Sequence, residues 1–193
     1  GQRVPSVLSA SDTPTSAAAS APALTHFGPG FEGTDFRRAL GHFATGVTVI
    51  TALAPDGRPV GMTANSFNSV SLEPPLVLWS LAKRAGTFEA FMGCQHYAIH
   101  ILTHEQQALS DRFAARGIDR FEGTAWQPGP HGLPLLEGVS ARFVCAHRSR
   151  YDEGDHVIFV GEVLAFDRSE PVQPLMYHGG GYHLGWSPRT EKR

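Results

Sequence analysis

The residues able to do chemistry in this chain gather in three stretches. Lys83-Arg84-Ala85-Gly86-Thr87 follows an apolar run and opens a helical pattern. Helix N-termini present unpaired N–H groups and a partial positive charge, which suits phosphate. Lys83 and Arg84 add full charges and Thr87 adds a hydroxyl donor. Taken alone, these residues read more readily as an ordinary capped helix with two solvated cations. Thr63-Ala64-Asn65-Ser66 lies between two strand-like runs. Its polar groups and small alanine allow close approach of a planar ligand, although a polar strand edge or turn reads the same way. His156 follows Gly154-Asp155 at the start of a strand. A hairpin end there brings the imidazole to the mouth of a site, or Asp155 and His156 merely close the turn. The chemistry these stretches share is a flat polar cradle with a phosphate anchor beside it.

Other chemistries find less support. The chain has ten histidines, but His96 and His100 on a strand are roughly 13 Å apart at about 3.3 Å per residue, too far for one ion. No HExxH or paired CxxC occurs, so no metal is expected. There is no GxSxG elbow, and neither cysteine has an evident base partner. Gly28-Pro29-Gly30-Phe31-Glu32-Gly33 fits GxGxxG but lacks the preceding apolar strand of a βαβ unit.

The elements that must position these residues follow from periodicity. Phe36, Ala39, Leu40 and Phe43 share a face, predicting a helix over 34–43 with Thr34 as its cap. Strands are expected over 46–53 and 58–63, joined by the Pro55-Asp56-Gly57 turn. Another covers 67–72, and the apolar run 76–82 reads as a strand buried on both faces. A short helix is expected over 87–92 and a strand over 96–102. Thr103-His104-Glu105-Gln106 fits a capping box for a helix reaching about Arg116. Residues 126–138 read as loop. Residues 140–151 and 156–166 form a long hairpin around Asp152-Glu153-Gly154-Asp155, and a last strand includes 175–178. The fold class is mainly β: a closed antiparallel barrel with a few flanking helices, without βαβ alternation.

The 193 residues suit one domain with a real core. A net charge of −2, from 16 basic and 18 acidic residues, gives no general basic field for nucleic acid or a membrane surface. No apolar run approaches the roughly 20 residues of a membrane span. Cys94 and Cys145 read as reduced core thiols, and the location as cytoplasmic. Residues 1–30 are rich in Ser, Ala, Thr and Pro and lack a secretory pattern. They read as a flexible arm, or one draped over a neighbouring subunit, preceding a domain over 31–193. A first residue of Gly rather than Met suggests a processed or trimmed chain.

Several strings, in order, carry a family resemblance: Phe36-Arg37-Arg38-Ala39-Leu40; Phe43 to Thr51; Gly61-Met62-Thr63-Ala64-Asn65-Ser66-Phe67; Ser69 to Val77; Asp119-Arg120-Phe121; Gly154-Asp155-His156; and Pro174-Leu175-Met176-Tyr177. Over residues 36–182 the chain resembles the flavin reductase-like family, whose fold is the FMN-binding split barrel. The resemblance implies an NAD(P)H:flavin oxidoreductase using FMN or FAD with NADH or NADPH, usually homodimeric, and often supplying reduced flavin to a monooxygenase. It places Thr63, Ala64, Asn65 and Ser66 along the flavin ring and Ser80, Leu81, Ala82, Lys83, Arg84 and Thr87 around the phosphate. It places His156 near the nicotinamide. The family often has serine where this chain has Ala85, and Arg84 and Thr87 are the residues that could compensate. A non-catalytic flavin-binding or electron-transfer protein of the same fold is the alternative, and another planar cofactor such as haem or pyridoxal phosphate a third. The Gly-Asp-His string favours the enzyme.

Overall fold

The computed structural model describes residues 20–25 and 27–183. The chain divides into two units, Gly1–Phe36 and Arg37–Arg193. Most of the expected arm, 1–30, lies outside the described residues. In the described part of the first unit, Leu24, Phe27 and Phe31 are exposed, and the Phe31 and Phe36 rings approach to 5.3 Å.

Helix α1 (Gly33–Leu40) starts one residue earlier than Thr34, so Thr34 lies within it and is not its cap. Its apolar face stays open, with Phe36, Leu40 and the following Phe43 all exposed. Then come β1 (Thr45–Gly46), β2 (Thr48–Leu53), β3 (Pro59–Ala64), β4 (Asn68–Leu72), β5 (Pro75–Ala82), α2 (Phe88–Gly93), β6 (His96–Ile101) and α3 (Gln107–Ala114). The second half contains β7 (Trp126–Pro128), β8 (Pro134–Leu136), β9 (Ala141–Glu153), β10 (His156–Arg168), β11 (Met176–His178) and β12 (Gly181–His183).

The main sheet is antiparallel, with seven strands in the order β3-β2-β6-β9-β10-β5-β4. Its hydrogen-bonded ladders do not return from β4 to β3 among the described residues, so the observed architecture is a mainly β sheet with a few helices. One side chain joins the β3–β4 link to β5. Ser66 Oγ, in the β3–β4 link, accepts from the Ser80 N–H at 2.8 Å and donates to the Ser80 carbonyl at 3.2 Å. A hydroxyl thus satisfies the edge of β5 where β4 has already ended.

Trp79, Leu81, Tyr97 and Phe159 are fully buried in the main core. The Trp79 and Phe159 rings stack at 4.5 Å. Gly161 leaves room for the Tyr97 hydroxyl, into which any Cβ would run. Strand β5 is not buried on both faces as its apolar run suggested. Val77, Trp79 and Leu81 point into the core, while Leu76, Leu78, Ser80 and Ala82 are half-buried on the opposite face. The capping box forms only in part. Gln106 Oε1 accepts from the Thr103 N–H at 3.0 Å, but α3 starts after Gln106 and ends at Ala114. The expected loop over 126–138 contains the β7–β8 pair, because Leu133 and Leu136 are buried and their segment must hydrogen-bond.

His100 is fully buried. Its Nδ1–H donates to the Val49 carbonyl at 2.9 Å, and its Nε2 accepts from the Leu136 N–H at 3.0 Å. That pattern needs a neutral ring, and burial pushes its pKa down to about 4 from an ordinary 6.5. An unfolded chain takes up the proton first as pH falls. The contribution of neutral His100 is therefore complete above about 6.5 and is lost towards 4, an amount on the order of 3 kcal/mol. Urea unfolding between pH 7 and 4 checks this in the wild type and in His100→Gln, whose amide keeps one donor and one acceptor. The wild type should lose more stability than the variant across that range. Equal losses would show that His100 does not set the acid limit.

Candidate active site

A cleft of about 1060 Å³ opens along one flank of the second unit. Its walls are residues 58–63 on and before β3, the loop 82–87 after β5, and residues 113–122 at the end of α3 and beyond, with Trp126.

The β3 wall depends on a missing side chain. A Cβ on Gly61 would lie 2.7 Å from the Phe113 ring, so only glycine lets β3 run this close under the aromatic cluster. Phe121 packs edge-on against Phe113 at 5.1 Å and against Trp126 at 5.5 Å. Thr63 Oγ1 donates to the Ser110 carbonyl at 2.6 Å, tying the end of β3 to α3.

Two guanidinium groups hold the third wall by its carbonyls. Arg112 donates to Asp119 O and Arg120 O, each at 2.9 Å, and also to Glu122 O. Arg120 donates to Gly61 O at 2.7 Å and to Ala115 O at 3.0 Å. Asp119 Oδ1 accepts from the Phe121 N–H at 3.0 Å. The Asp119-Arg120-Phe121 string thus works as a clasp between this loop and β3. Burial, then the charge of Arg116, holds the Arg120 pKa below its ordinary value.

The 82–87 loop is set by the β5–β10 ladder. Ala82 pairs with His156 in register, and the Lys83 N–H donates to Asp155 O at 2.9 Å. The Ala85 N–H then donates to Ala82 O at 3.0 Å, turning the chain into α2. Arg150 anchors the far end of α2, donating to Phe91 O at 3.2 Å and Cys94 O at 2.8 Å. Thr87 precedes α2, makes no side-chain cap bond, and keeps a buried Oγ1 without a partner among the described residues. A buried hydroxyl left unmatched calls for an explanation, and Thr87 is also a cleft-lining residue.

Thr63, Ala82, Arg84 and Thr87 line the cleft; the other expected contacts stand elsewhere. Ala64 is buried, Asn65 is exposed beyond the cleft rim, and Ser66 and Ser80 are engaged with each other. Leu81 points into the core because strand side chains alternate, so only its backbone faces β10. Lys83 pairs its ammonium with Asp152 at 2.6 Å on the exposed side of the hairpin and does not line the cleft. His156 is half exposed and sits across the ladder from the cleft-lining Ala82. Its Nδ1–H donates to Asp155 Oδ1 at 2.7 Å, which fixes the tautomer and leaves Nε2 for another partner. This hydrogen bond, then the charge of His156, lowers the Asp155 pKa.

Sequence reasoning missed Arg58, Arg116, Ile118 and Trp126, all of which line the cleft. Nothing in their local spacing marks them: Arg58 directly precedes β3, and folding brings Arg116, Ile118 and Trp126 into the same cleft. A second depression, of about 530 Å³, contains Arg142 and Asp167. There the charges are already matched, with Arg142 donating to both Asp167 carboxylate oxygens.

Residues 40–185 match the family described as the flavin reductase like domain. The chain is 48% identical over 157 residues to an FMN reductase (NADH) of Agrobacterium fabrum, covering 81% of this chain and 88% of that one. It is 44% identical to the reductase component of a flavin-dependent trigonelline monooxygenase of Acinetobacter baylyi. That match covers 77% of this chain but only 47% of the relative, so the chain spans about half of that protein. A solved NADH:FAD oxidoreductase of Streptomyces globisporus, in complex with NAD and FAD fragments, superposes with a TM-score of 0.77 at 36% identity, covering 82% of this chain and 94% of that one. The chain belongs to the flavin reductase-like family.

Proposed function

We propose that this protein reduces flavin, FMN or FAD, with NADH or NADPH, and supplies the reduced flavin to a partner monooxygenase. The single observation that carries the reading is the pairing of Ala82 with His156, which joins the cleft to the Gly154-Asp155-His156 hairpin end. Two of the relatives above are named as an NADH-dependent FMN reductase and as a monooxygenase reductase component.

The residues present fit a flavin. The cleft volume suits a nucleotide-sized ligand. Arg84 supplies a cation and Thr87 an unmatched buried hydroxyl for the phosphate. Thr63, on the β3 wall of the cleft, would lie along the ring, and the Ala64-Asn65-Ser66 segment continues that wall towards β4. Ser80, Leu81 and Ala82 carry the strand that delivers the phosphate loop, and the Lys83 backbone ties that loop to Asp155. When bound, flavin supplies a ring that takes up hydride from the nicotinamide. The protein's part is alignment and charge. Asp155 orients His156, whose free Nε2 positions the nicotinamide or balances charge during transfer. The Ser66–Ser80 bridge supports a main sheet that rolls into a split barrel with β3 facing β5. No helix among the described residues is long and apolar enough to cross a membrane, and the two free buried thiols agree with a cytoplasmic location.

We also propose a homodimer. β4 is an edge strand, and it and β10 carry Val70, Leu72, Leu164 and Phe166 exposed. A second copy would cover this apolar strip. Light scattering at micromolar concentration should give twice the chain mass, and a monomer would remove the claim.

Two variants separate the halves of the site. Arg84→Ala should weaken FMN binding by about 1–2 kcal/mol, the scale of one charge-assisted hydrogen bond. His156→Ala should leave FMN affinity near wild type and slow single-turnover reduction, or weaken NAD(P)H binding, by about 10- to 100-fold. Fluorescence titration and anaerobic stopped-flow measure the two effects. Unchanged FMN affinity in Arg84→Ala, or wild-type reduction and nicotinamide affinity in His156→Ala, contradicts the corresponding assignment.

A further inference from the structure

The cleft gathers more positive charge than one phosphate requires. Arg84 lies on the 82–87 wall beside Thr87. Arg58 lies at the opposite end of β3, five residues before Thr63, or about 16 Å away along the strand at roughly 3.3 Å per residue. Arg116, on the loop after α3, lines the same cleft, and its charge is felt at Arg120.

The cations differ in what they already hold. Arg120 is engaged with the Gly61 and Ala115 carbonyls. Arg58 and Arg116 are exposed, and neither makes an ion pair among the described residues. Two carboxylates, Asp119 and Glu122, also line the cleft. Asp119 accepts from the Phe121 N–H, and Glu122 is exposed. Like charges collected in one concavity repel, and an entering anion relieves that repulsion.

We propose that Arg58 and Arg116 form a second phosphate subsite, for a phosphoryl group that a nucleotide carries away from its reacting ring. The proposal rests on the flavin reductase reading and extends it to nucleotide choice. Two sources share this chemistry: the adenylate half of FAD, which FMN lacks, and the 2′-phosphate of NADPH, which NADH lacks. Arginine suits either, since its planar fork matches phosphate oxygens in pairs.

The test is a pair of ratios in the wild type, Arg58→Ala, Arg116→Ala and the double variant. Fluorescence titration gives FAD affinity over FMN affinity. Steady-state rates at fixed flavin give kcat/KM for NADPH over NADH. Both side chains are exposed, so the variants should fold, and circular dichroism checks that they do. The double variant should lower one ratio about tenfold, the loss expected for contacts to a charged group. A fall in the first assigns the subsite to the flavin adenylate, and a fall in the second to the 2′-phosphate. Arg116→Lys should restore part of the loss. Both ratios unchanged, with FMN still bound, overturns the subsite and leaves the reductase reading standing. No flavin binding in the wild type removes that reading and the subsite with it.

Discussion

The antiparallel ladder between β5 and β10 is the constraint on which the site depends. It runs from Leu76 opposite Glu162 to Ala82 opposite His156. Its register is fixed by burial, because Trp79 and Leu81 on one strand and Val157 and Phe159 on the other all face the core. A slip of one residue would turn these side chains outwards. The hydrophobic core therefore decides that the 82–87 loop leaves β5 beside the Gly154-Asp155-His156 turn. Lys83 then secures the junction twice, through its N–H to Asp155 O and its ammonium to Asp152. The ion pair is exposed and contributes little stability, so the ladder carries the geometry.

The opposite wall is built on another principle. Arg112 and Arg120 use their guanidinium groups on backbone carbonyls, which fix the 115–122 loop without cancelling the positive charge. Contrast Arg142, neutralised by Asp167 in the second depression. A concave surface whose cations are spent on carbonyls keeps its attraction for anions. Gly61 makes the arrangement possible, because β3 approaches Phe113 and Phe121 only without a side chain at that position.

Much of the fold was legible in sequence because it rests on local signals. Pro55-Asp56-Gly57 joins β2 to β3, and Gly154, at φ 66°, turns the β9–β10 hairpin. The turn from β5 into α2 was recognisable from Gly86-Thr87 and the helical pattern that follows. What escaped was long-range. The roles of Ser66 and Ser80 emerge only when the β3–β4 link meets β5. The Lys83–Asp152 pair could not be foreseen, because its partners are 69 residues apart. β7 and β8 went unseen because three-residue strands are too short to show a period. Arg58 and Arg116 gain meaning only from the cleft they share.

The most direct test of the account is a crystal structure of the protein soaked with FMN at saturating concentration. The account predicts ring density against Thr63 and the end of β3, with phosphate density beside Arg84 and the Thr87 hydroxyl. Flavin density in the Arg142–Asp167 depression, with the main cleft empty, would contradict it.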